Sequence, residues 1–318
     1  MRVIDPSVEL ITESDNTNRI ELCGRVSYKS EDKMREGSAE KFVNMLISRG
    51  HESPLEHSNI CLQIYDPVVF SCLVDIVVGS MRDGAPIPVR LERTNGEMYA
   101  SGNVRAWRNL VRRIKPNMAY IADFANALFY TPEISKFIID LKDNFQTKDK
   151  PSVRSELLET RYLSFLRGKN HNIMTMRFIC SRATSHELVR HRVMSFTQES
   201  QRYVDVSNYT VIRPTWAAPE SQMGDAMAEW IYANEFIQKE YQNLLSMGAQ
   251  KQQARDVLTN ACKTEVVATG TIPMWENFFE LRCSKAAYPE IRFLAEQARD
   301  IYADVKAKTN DWSVPYVG

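Results

Sequence analysis

The sequence predicts an α+β fold: a helix-rich single domain with a central, mostly antiparallel sheet flanked by long helices. Its 318 residues are 44% hydrophobic and 25% charged, which is ordinary for a globular protein and enough to bury a sizeable core. Apolar residues recur at helical spacing in long stretches, and short alternating stretches typical of strands lie between them. Length alone would fit one large domain or two small ones, but no linker separates two halves, so we expect one domain over residues 1–318.

The N-terminal half alternates between helical and strand-like patterns. Apolar residues at helical spacing predict a helix over 38–49, which Gly50 ends. Residues 58–65 alternate as a strand does, and the apolar run 68–78 is either a buried helix or a buried strand. Turn residues at 84–88 end that run.

The middle of the chain is less regular. A short strand is predicted at 98–101 and an amphipathic helix at 104–113. Residues 115–151 show an interrupted helical pattern, and their charged end at 142–150 is typical of a surface loop. Residues 172–179 again suit a strand.

The C-terminal half is dominated by helical patterns. A long helix at 220–247 carries an apolar stripe that indicates a core or a subunit interface. The remaining predicted elements are a helix that runs into Arg190 from the N-cap residues Ser181, Thr184 and Ser185, a strand at 209–212, a helix at 251–258, and a last helix with apolar residues from Ile291 to Val305.

Composition excludes some classes of function and leaves others open. Forty basic and forty acidic residues give zero net charge, so any site for an anion must be local. The six cysteines form no CxxC pair, and we expect them to be small buried residues that stay reduced in a cytoplasm. The first residues are charged and no stretch approaches about 20 apolar residues, so we expect a cytoplasmic protein with no membrane segment.

The stretch from 190 to 203 is the most informative part of the chain. Between 177 and 213 there are six arginines, no lysine and three acids, a net charge of +3. Guanidinium groups match phosphate oxygens with a bidentate fork and stack on rings, so the stretch indicates a site for a flat, anionic ligand such as a nucleotide. Alternatively, Arg190 and Arg192 only complement the end of a helix. The six arginines are Arg177, Arg182, Arg190, Arg192, Arg202 and Arg213.

The segment from His51 to His57 raises the question of a metal. Two histidines and a glutamate fall within seven residues, but the histidines are six apart with Pro54 between them, which disfavours zinc. His186-Glu187 also misses the metalloprotease pattern, because an arginine stands in the place of its second histidine. The segment instead suits a capped turn, in which Ser53 starts a short helix and Glu56 closes a capping box. That turn leaves His51 free to act.

A third group lies near the C-terminus. Arg255 is followed by Asn277 and Arg282 within a helical, aromatic-rich stretch. Phe278, Phe279, Leu281 and Arg282 cannot all face the core, so Arg282 either lies at the edge of an aromatic pocket or extends over apolar carbons at the surface.

These segments resemble the flavin-dependent thymidylate synthases, whose hallmark is Arg-His-Arg, seven residues and then Ser. Here the motif is Arg190-His191-Arg192 and Ser200. The likeness extends to residues 24–28 and 51–57 and to the spacing of Arg255 and Arg282. It covers about residues 20–65, 171–213 and 250–300, and residues 66–170 look like a helical insertion relative to the shortest members.

The resemblance implies a homotetramer that converts dUMP to dTMP. FAD and dUMP would bind at subunit junctions, methylenetetrahydrofolate would supply the carbon, and NADPH would reduce the flavin; no nucleic acid, membrane or metal is expected. By position, the flavin residues are Ser27, Ser53, Glu56, Arg190, His191, Arg192, Gln198, Thr271 and Asn277. The nucleotide residues are Glu187, Arg190, Gln198, Glu199, Ser200, Gln201, Arg202, Arg255 and Arg282. The catalytic residues are Arg282, His51 and Ser200, with Ser200 as a hydrogen-bond donor and not a nucleophile.

Several positions depart from the family pattern. The family often has Asn-Glu where this chain has Thr197-Gln198, and an arginine where it has Pro273. Glu187 would repel a phosphate unless an arginine or a water lay between them. Two other functions therefore stay open: a degenerate family member that binds nucleotide or flavin without turnover, and an RNA-binding module that uses the arginines with nearby aromatic rings.

Overall fold

The fold is described from a computed structural model, which covers residues 1–114, 119–129, 131–144, 170–217 and 224–309. The strands are β1 (Arg2–Ile4), β2 (Ser7–Leu10), β3 (Ile60–Ile64), β4 (Arg90–Thr94), β5 (Glu97–Gly102), β6 (Ile173–Ser181), β7 (Ser195–Gln198), β8 (Thr210–Ile212) and β9 (Lys263–Thr271). The helices are α1 (Asn16–Val26), α2 (Ser38–Ser48), α3 (Pro67–Arg82), α4 (Val104–Arg113), α5 (Ala119–Leu128), α6 (Pro132–Ile138), α7 (Arg182–Leu188), α8 (Gly224–Ser246), α9 (Lys251–Ala254), α10 (Ile272–Arg282) and α11 (Pro289–Thr309).

The strands of the described chain form three sheets. Four strands in the order β2-β6-β9-β7 make an antiparallel sheet, in which Met176 on β6 pairs with Ala268 on β9. A second antiparallel sheet has the order β3-β5-β4, and β1 pairs with β8 in parallel. The class is therefore α+β, as the sequence predicts, but the described strands form three sheets and not one central sheet.

Two large hydrophobic cores lie on these sheets. One core packs β6 and β9 against α10 and α11, with Trp275 and Phe278 fully buried. The other packs β3 and β5 against α2 to α6, with Trp107 fully buried, and contains most of the described part of the predicted insertion. None of the helices in the described ranges is both long and apolar enough to cross a membrane.

Most predicted elements are confirmed. The apolar run at 68–78 is the helix α3, which begins at Pro67 because the Asp66 side chain accepts hydrogen bonds from Val68 N and Val69 N. Ser181 caps α7 by accepting from Thr184 N, as predicted. Helices α5 and α6 lie within 115–151, but most of the predicted surface loop at 142–150 falls outside the described residues.

Three predictions about local structure were wrong or incomplete. The turn at Ser53–Glu56 is a 3-10 helix with Glu52 and not Ser53 at its N-cap, and the capping box does not form; Glu56 instead binds Arg105. The helix expected at 251–258 continues beyond α9 as a 3-10 turn at Arg255–Val257. Sequence reasoning also missed α1, β1, β2, β4, β7 and β9. Strand β9 is buried almost throughout, so it lacks the alternation that identifies a half-exposed strand.

Candidate functional site

A cleft of about 600 Å³ gathers about half of the predicted site residues. We call it the first cleft. Three segments of the chain form most of its wall: Ser27-Tyr28, residues 50–54 and residues 196–203. Its predicted members are Ser27, His51, Ser53, Gln198, Glu199, Ser200, Gln201, Arg202 and Arg255.

The end of α2 places His51 in this cleft. Gly50 adopts a left-handed backbone conformation (φ 68°), which a residue without Cβ reaches at no steric cost. The N–H groups of Gly50 and His51 then donate to the carbonyls of Ile47 (3.1 Å) and Leu46 (2.9 Å). The chain turns sharply there and leaves the His51 side chain exposed.

The motif serine lies where the chain leaves the sheet edge. Strand β7 ends at Gln198, Glu199 N donates to Glu265 O (2.9 Å), and Ser200 N donates to Ser27 O (3.0 Å). Tyr203 N then donates to Ser200 O (3.1 Å) to close a turn. These backbone bonds hold the segment 199–203 against Ser27, so the first cleft has a fixed wall.

Three arginines give the first cleft its charge. Arg182, Arg202 and Arg255 line it, and none of them forms an ion pair with a carboxylate in the described part of the chain, whereas a fourth lining arginine, Arg105, is paired with Glu56. Burial lowers the pKa of Arg182, and the adjacent Arg255 acts in the same direction. Three unpaired guanidinium groups in one cleft favour a multiply charged anion as ligand.

The two acids of the first cleft do not cancel this charge. Glu52 accepts hydrogen bonds from Arg112 (2.5 Å) and Arg108 (2.9 Å), and these cations lower the Glu52 pKa to about 2. Glu199 is buried and accepts a hydrogen bond from Lys263 at 2.9 Å. Each acid is therefore already neutralised by a cation outside the lining.

Two predicted ligands are partly engaged within the chain. The Gln198 amide donates to Ser185 Oγ (2.8 Å), and the Glu199 carboxylate faces Lys263. Their roles in binding stay predictions, and the contacts indicate that both also hold the cleft wall in place.

A second cleft, of about 330 Å³, lies between β9 and the predicted insertion. The predicted flavin residues Glu56 and Thr271 line it. Val193 lines it in a left-handed backbone conformation (φ 70°) and is 71% exposed. That conformation is strained for a β-branched residue, and strain of this kind is concentrated at ligand sites.

The remaining motif residues cluster at the ends of α7 and α10. His191 is buried with its Nε2 3.4 Å from Asn277 Nδ2, and its ring meets the Phe278 ring edge-on at 5.2 Å. Burial lowers the His191 pKa, and Arg282 lowers it further. Arg282 Nη2 donates to Glu187 O (3.2 Å), while its buried Nε has no partner in the described chain. We call these residues the α7–α10 cluster.

The first cleft does not include the α7–α10 cluster. Arg190 and Arg192 flank His191 and are exposed, and the lining of the first cleft contains neither of them, nor Arg282. Glu187 lies with its carboxylate 3.8 Å from Arg282, so it faces a cation and not the first cleft. Within one chain, the predicted site residues are thus divided among three places.

The cysteines give no sign of a nucleophile. All six thiols are free, and burial raises the pKa of Cys262 to about 11 and of Cys61 to about 12. Burial also raises the pKa of Cys180 and Cys283. Thiols with raised pKa values are poor nucleophiles at neutral pH.

A protein-family model matches most of the chain. The model is described as "Thymidylate synthase complementing protein" and matches residues 9–75 and 110–306. The chain belongs to this family, the flavin-dependent thymidylate synthases.

Curated flavin-dependent thymidylate synthases resemble the chain at moderate identity. The Corynebacterium efficiens protein is 31% identical over 193 residues, which cover 52% of this chain and 76% of that protein. The Pyrococcus abyssi protein is 37% identical over 118 residues, or 36% of this chain, and the match spans about half of that protein (48%).

One solved structure aligns over nearly the whole length. The UMP/dUMP methylase PolB from Streptomyces cacaoi, bound with 5-Br dUMP, matches with 18% identity and a TM-score of 0.41, over 99% of this chain and 100% of that chain. A likeness this weak does not establish a common fold.

Sequence reasoning missed some residues of the first cleft. Arg182 is one of the six arginines of the basic stretch, but the family motif does not place it in the site. Tyr28 and Tyr203 also line the cleft, with ring centroids 5.2 Å apart. The position of Tyr203 directly after Arg202 in the motif could have indicated its place in the cleft. Nothing in the sequence indicates that α7 turns Arg182 toward Arg255.

Proposed function

We propose that the protein converts dUMP to dTMP, with methylenetetrahydrofolate as carbon donor and FAD, reduced by NADPH, as the source of hydride. The observation that carries this proposal is the first cleft of a family member, in which three guanidinium groups without carboxylate partners lie beside hydroxyl and amide groups. This cleft suits the phosphate and ribose of a nucleotide.

The phosphate of dUMP would bind Arg182, Arg202 and Arg255. Hydrogen bonds to charged groups contribute about 1.5–3 kcal/mol each, so two or three of them account for most of the affinity of a small nucleotide. Ser200 would donate to the same ligand, and His51 at the opposite wall would orient it. Tyr28 and Tyr203 offer ring faces at the edge of the cleft.

The second cleft fits a flavin. Val193 and Met194 provide apolar side chains there. The Gly270 backbone packs closely against the Met194 side chain, since a Cβ on Gly270 would lie 3.0 Å from it. Glu56 and Thr271 line this cleft and would hold the cofactor from one side. Ser53 in the first cleft and Arg192 and Asn277 near the α7–α10 cluster would reach it across a subunit junction. When bound, the flavin supplies the hydride.

Arg282 is the residue that would activate the uracil. Carbon 5 of uracil is a poor nucleophile unless negative charge on the ring is stabilised. Arg282 is permanently cationic and half-buried, and its Nε has no partner in the described chain, so it would stabilise that charge without much reorganisation. Glu187 would hold the Arg282 side chain in place.

A homotetramer would complete this site. Arg190, Arg192 and Arg282 lie outside the lining of the first cleft, so a ligand in the cleft would meet these groups on another subunit. This arrangement would also make activity depend on assembly.

An assay of dTMP formation tests the proposal. Wild type supplied with dUMP, methylenetetrahydrofolate, FAD and NADPH should form dTMP. Arg282→Ala should lower the rate by about 10²–10³-fold, because it removes a transition-state contact, while bound FAD stays near the wild-type level. The matched control is Arg299→Ala, on the exposed side of α11, which should stay within about twofold of wild type.

Other outcomes would decide between the alternatives. Equal activity in Arg282→Ala would remove Arg282 from catalysis. A wild type that holds flavin without turnover would be a degenerate binder. A colourless protein that binds oligonucleotides in a salt-dependent way would instead be an RNA-binding module.

A further inference from the structure

Arg90 is a half-buried cation whose described hydrogen-bond partners are neutral. It begins β4 in the predicted insertion and lines the second cleft. Its Nε donates to Ser101 Oγ (3.2 Å) and its Nη2 to Asn59 Oδ1 (2.8 Å). Among the described residues, it forms no ion pair with any carboxylate.

This arrangement is costly without a ligand. Burying a guanidinium group without an opposite charge is unfavourable, and burial lowers the Arg90 pKa to about 10. A neutral side chain would satisfy Ser101 and Asn59 at lower cost. An anion bound in the cleft would offset the cost of burying the Arg90 guanidinium group, which would explain why this position carries an arginine.

Arg105 brings a second cation to the same cleft. It lies in the first turn of α4, two residues after the N-cap Asn103, and donates at 2.5 Å to Oε1 of Glu56, a carboxylate of the same cleft. Arg105 also lines the first cleft. The positive end of α4 therefore also faces this region. Arg90 and Arg105 both lie within residues 76–109, which the family model does not match.

The other wall of the cleft presents the apolar side chains Val193, Met194 and Met274 beside the hydroxyl groups of Thr269 and Thr271. Val193 is 71% exposed and adopts a left-handed backbone conformation, and Met194 lies beside Gly270. The second cleft thus places a wall suited to a flat ring opposite two guanidinium groups.

We propose that the insertion supplies a phosphate-binding arm for the flavin cofactor, in which Arg90 and Arg105 bind the phosphate groups while Val193 and Met194 contact a ring. This inference rests on the proposed function, because it takes the ligand of the second cleft to be the flavin. Phosphate and flat ring are the two chemical features that the walls recognise.

Binding of three flavins to the purified apoprotein tests it. FAD, FMN and riboflavin share the ring but carry two, one and no phosphate groups. Arg90→Gln and Arg105→Gln should each raise the Kd of FAD by about 10- to 100-fold, since a lost charged hydrogen bond is worth about 1.5–3 kcal/mol. The Kd of riboflavin should change by less than about twofold. Flavin fluorescence reports all three affinities without turnover.

Arg93→Gln is the matched control. Arg93 lies on the same strand β4, is exposed and lines neither cleft, so all three Kd values should stay at the wild-type level. Arg105 is half-exposed, so Arg105→Gln keeps the test valid if Arg90→Gln fails to fold.

Specific results would overturn the inference. Equal weakening of FAD and riboflavin would mean a structural role for the arginines, and unchanged FAD binding would mean none in the cofactor site. Weaker binding of dUMP alone would place the substrate's phosphate here, and a raised KM for the folate alone would place its carboxylates here. A wild type that forms no dTMP but discriminates FAD from riboflavin through these arginines would refute the proposed function and leave this inference standing.

Discussion

Two histidines of one short segment, His51 and His57, differ in how far they are buried and in what their rings contact. His51 is exposed at the first cleft, whereas His57, six residues later, is fully buried. The His57 ring nitrogens lie 2.7 Å from Thr269 Oγ1 and 2.8 Å from Thr197 Oγ1, so the ring bridges β9 and β7. Burial lowers the His57 pKa to about 3. His57 is therefore a neutral structural link beneath the strand that carries the motif.

This link makes stability depend on pH. The His57 pKa is about 6.5 in the unfolded chain and about 3 in the folded one, so the unfolded state binds the proton first. The stabilising contribution is complete above about pH 6.5 and is lost as the pH falls from there toward 3. Its slope is at most about 1.4 kcal/mol per pH unit.

We expect the loss of stability between pH 7 and pH 5 to be smaller in His57→Gln than in wild type, by roughly 2 kcal/mol. Urea unfolding at both pH values measures it, and His51→Gln, at the exposed histidine, is the control. The variant will be less stable at pH 7, but only the difference between the two pH values matters. Equal losses in wild type and His57→Gln would contradict the role given to burial.

Strand β9 stabilises the wall of the first cleft through ion pairs. Lys263 on β9 binds Glu199 at 2.9 Å and also pairs with Glu265. Glu265 accepts further hydrogen bonds from Lys29 and Arg177, and the adjacent cations hold its pKa at about 2 against the effect of burial. One strand thus fixes both the segment 199–203 and the Ser27 loop that meet at Ser200.

Lys263→Met should loosen this wall without removing a predicted ligand. The uncompensated Glu199 would add negative charge near the phosphate site, so the KM for dUMP should rise by about tenfold while kcat stays within about threefold. Lys263→Arg should restore most of the affinity because it restores the cation. Steady-state kinetics at saturating folate and NADPH separate the two parameters.

Lys41→Met, on the exposed surface of α2, is the matched control and should leave both parameters unchanged. A fall in kcat with an unchanged KM in Lys263→Met would refute the positioning role. So would a failure of Lys263→Arg to restore affinity.

The division of the predicted site residues among three places in one chain predicts that subunits assemble to complete the site. Helix α8 carries Tyr232 and Phe236 one turn apart, 66% and 52% exposed. Large apolar side chains exposed in this way on one helix face are typical of an interface. Neither residue belongs to the apolar stripe predicted on this helix, whose members Trp230, Ile237 and Tyr241 are buried or packed against the chain's own core.

We expect wild type to be a homotetramer and Phe236→Glu to dissociate it, because a buried charge without a partner costs several kcal/mol at an interface. Light scattering after size exclusion measures the mass, and dTMP formation should fall together with the tetramer. Glu235→Gln, an exposed neighbour, should change neither. A Phe236→Glu variant that remains tetrameric would exclude this face, and an active wild-type monomer would exclude the shared site.

The sequence predicted the helices of this fold better than its strands. Helices α2, α4 and α11 follow from apolar spacing, because each buries one stripe of its own surface. Strand β9 did not follow, because it is buried on both faces and its pattern has no period of two. Strands β1 and β7, of three and four residues, are too short to show a period of two. They are recognised as strands only by their hydrogen bonds to neighbouring strands.

Motif spacing and helical periodicity are local properties of the chain, so the family, the α+β class and the residue types of the site follow from the sequence. Which of these residues meet depends on long-range packing. Arg182 joins Arg202 and Arg255 because α7, the edge of β7 and the turn after α9 converge on one cleft, whereas His191 turns into the core beside Phe278. Those contacts join segments far apart in the chain, and packing of the two cores sets their distances, which no local pattern encodes.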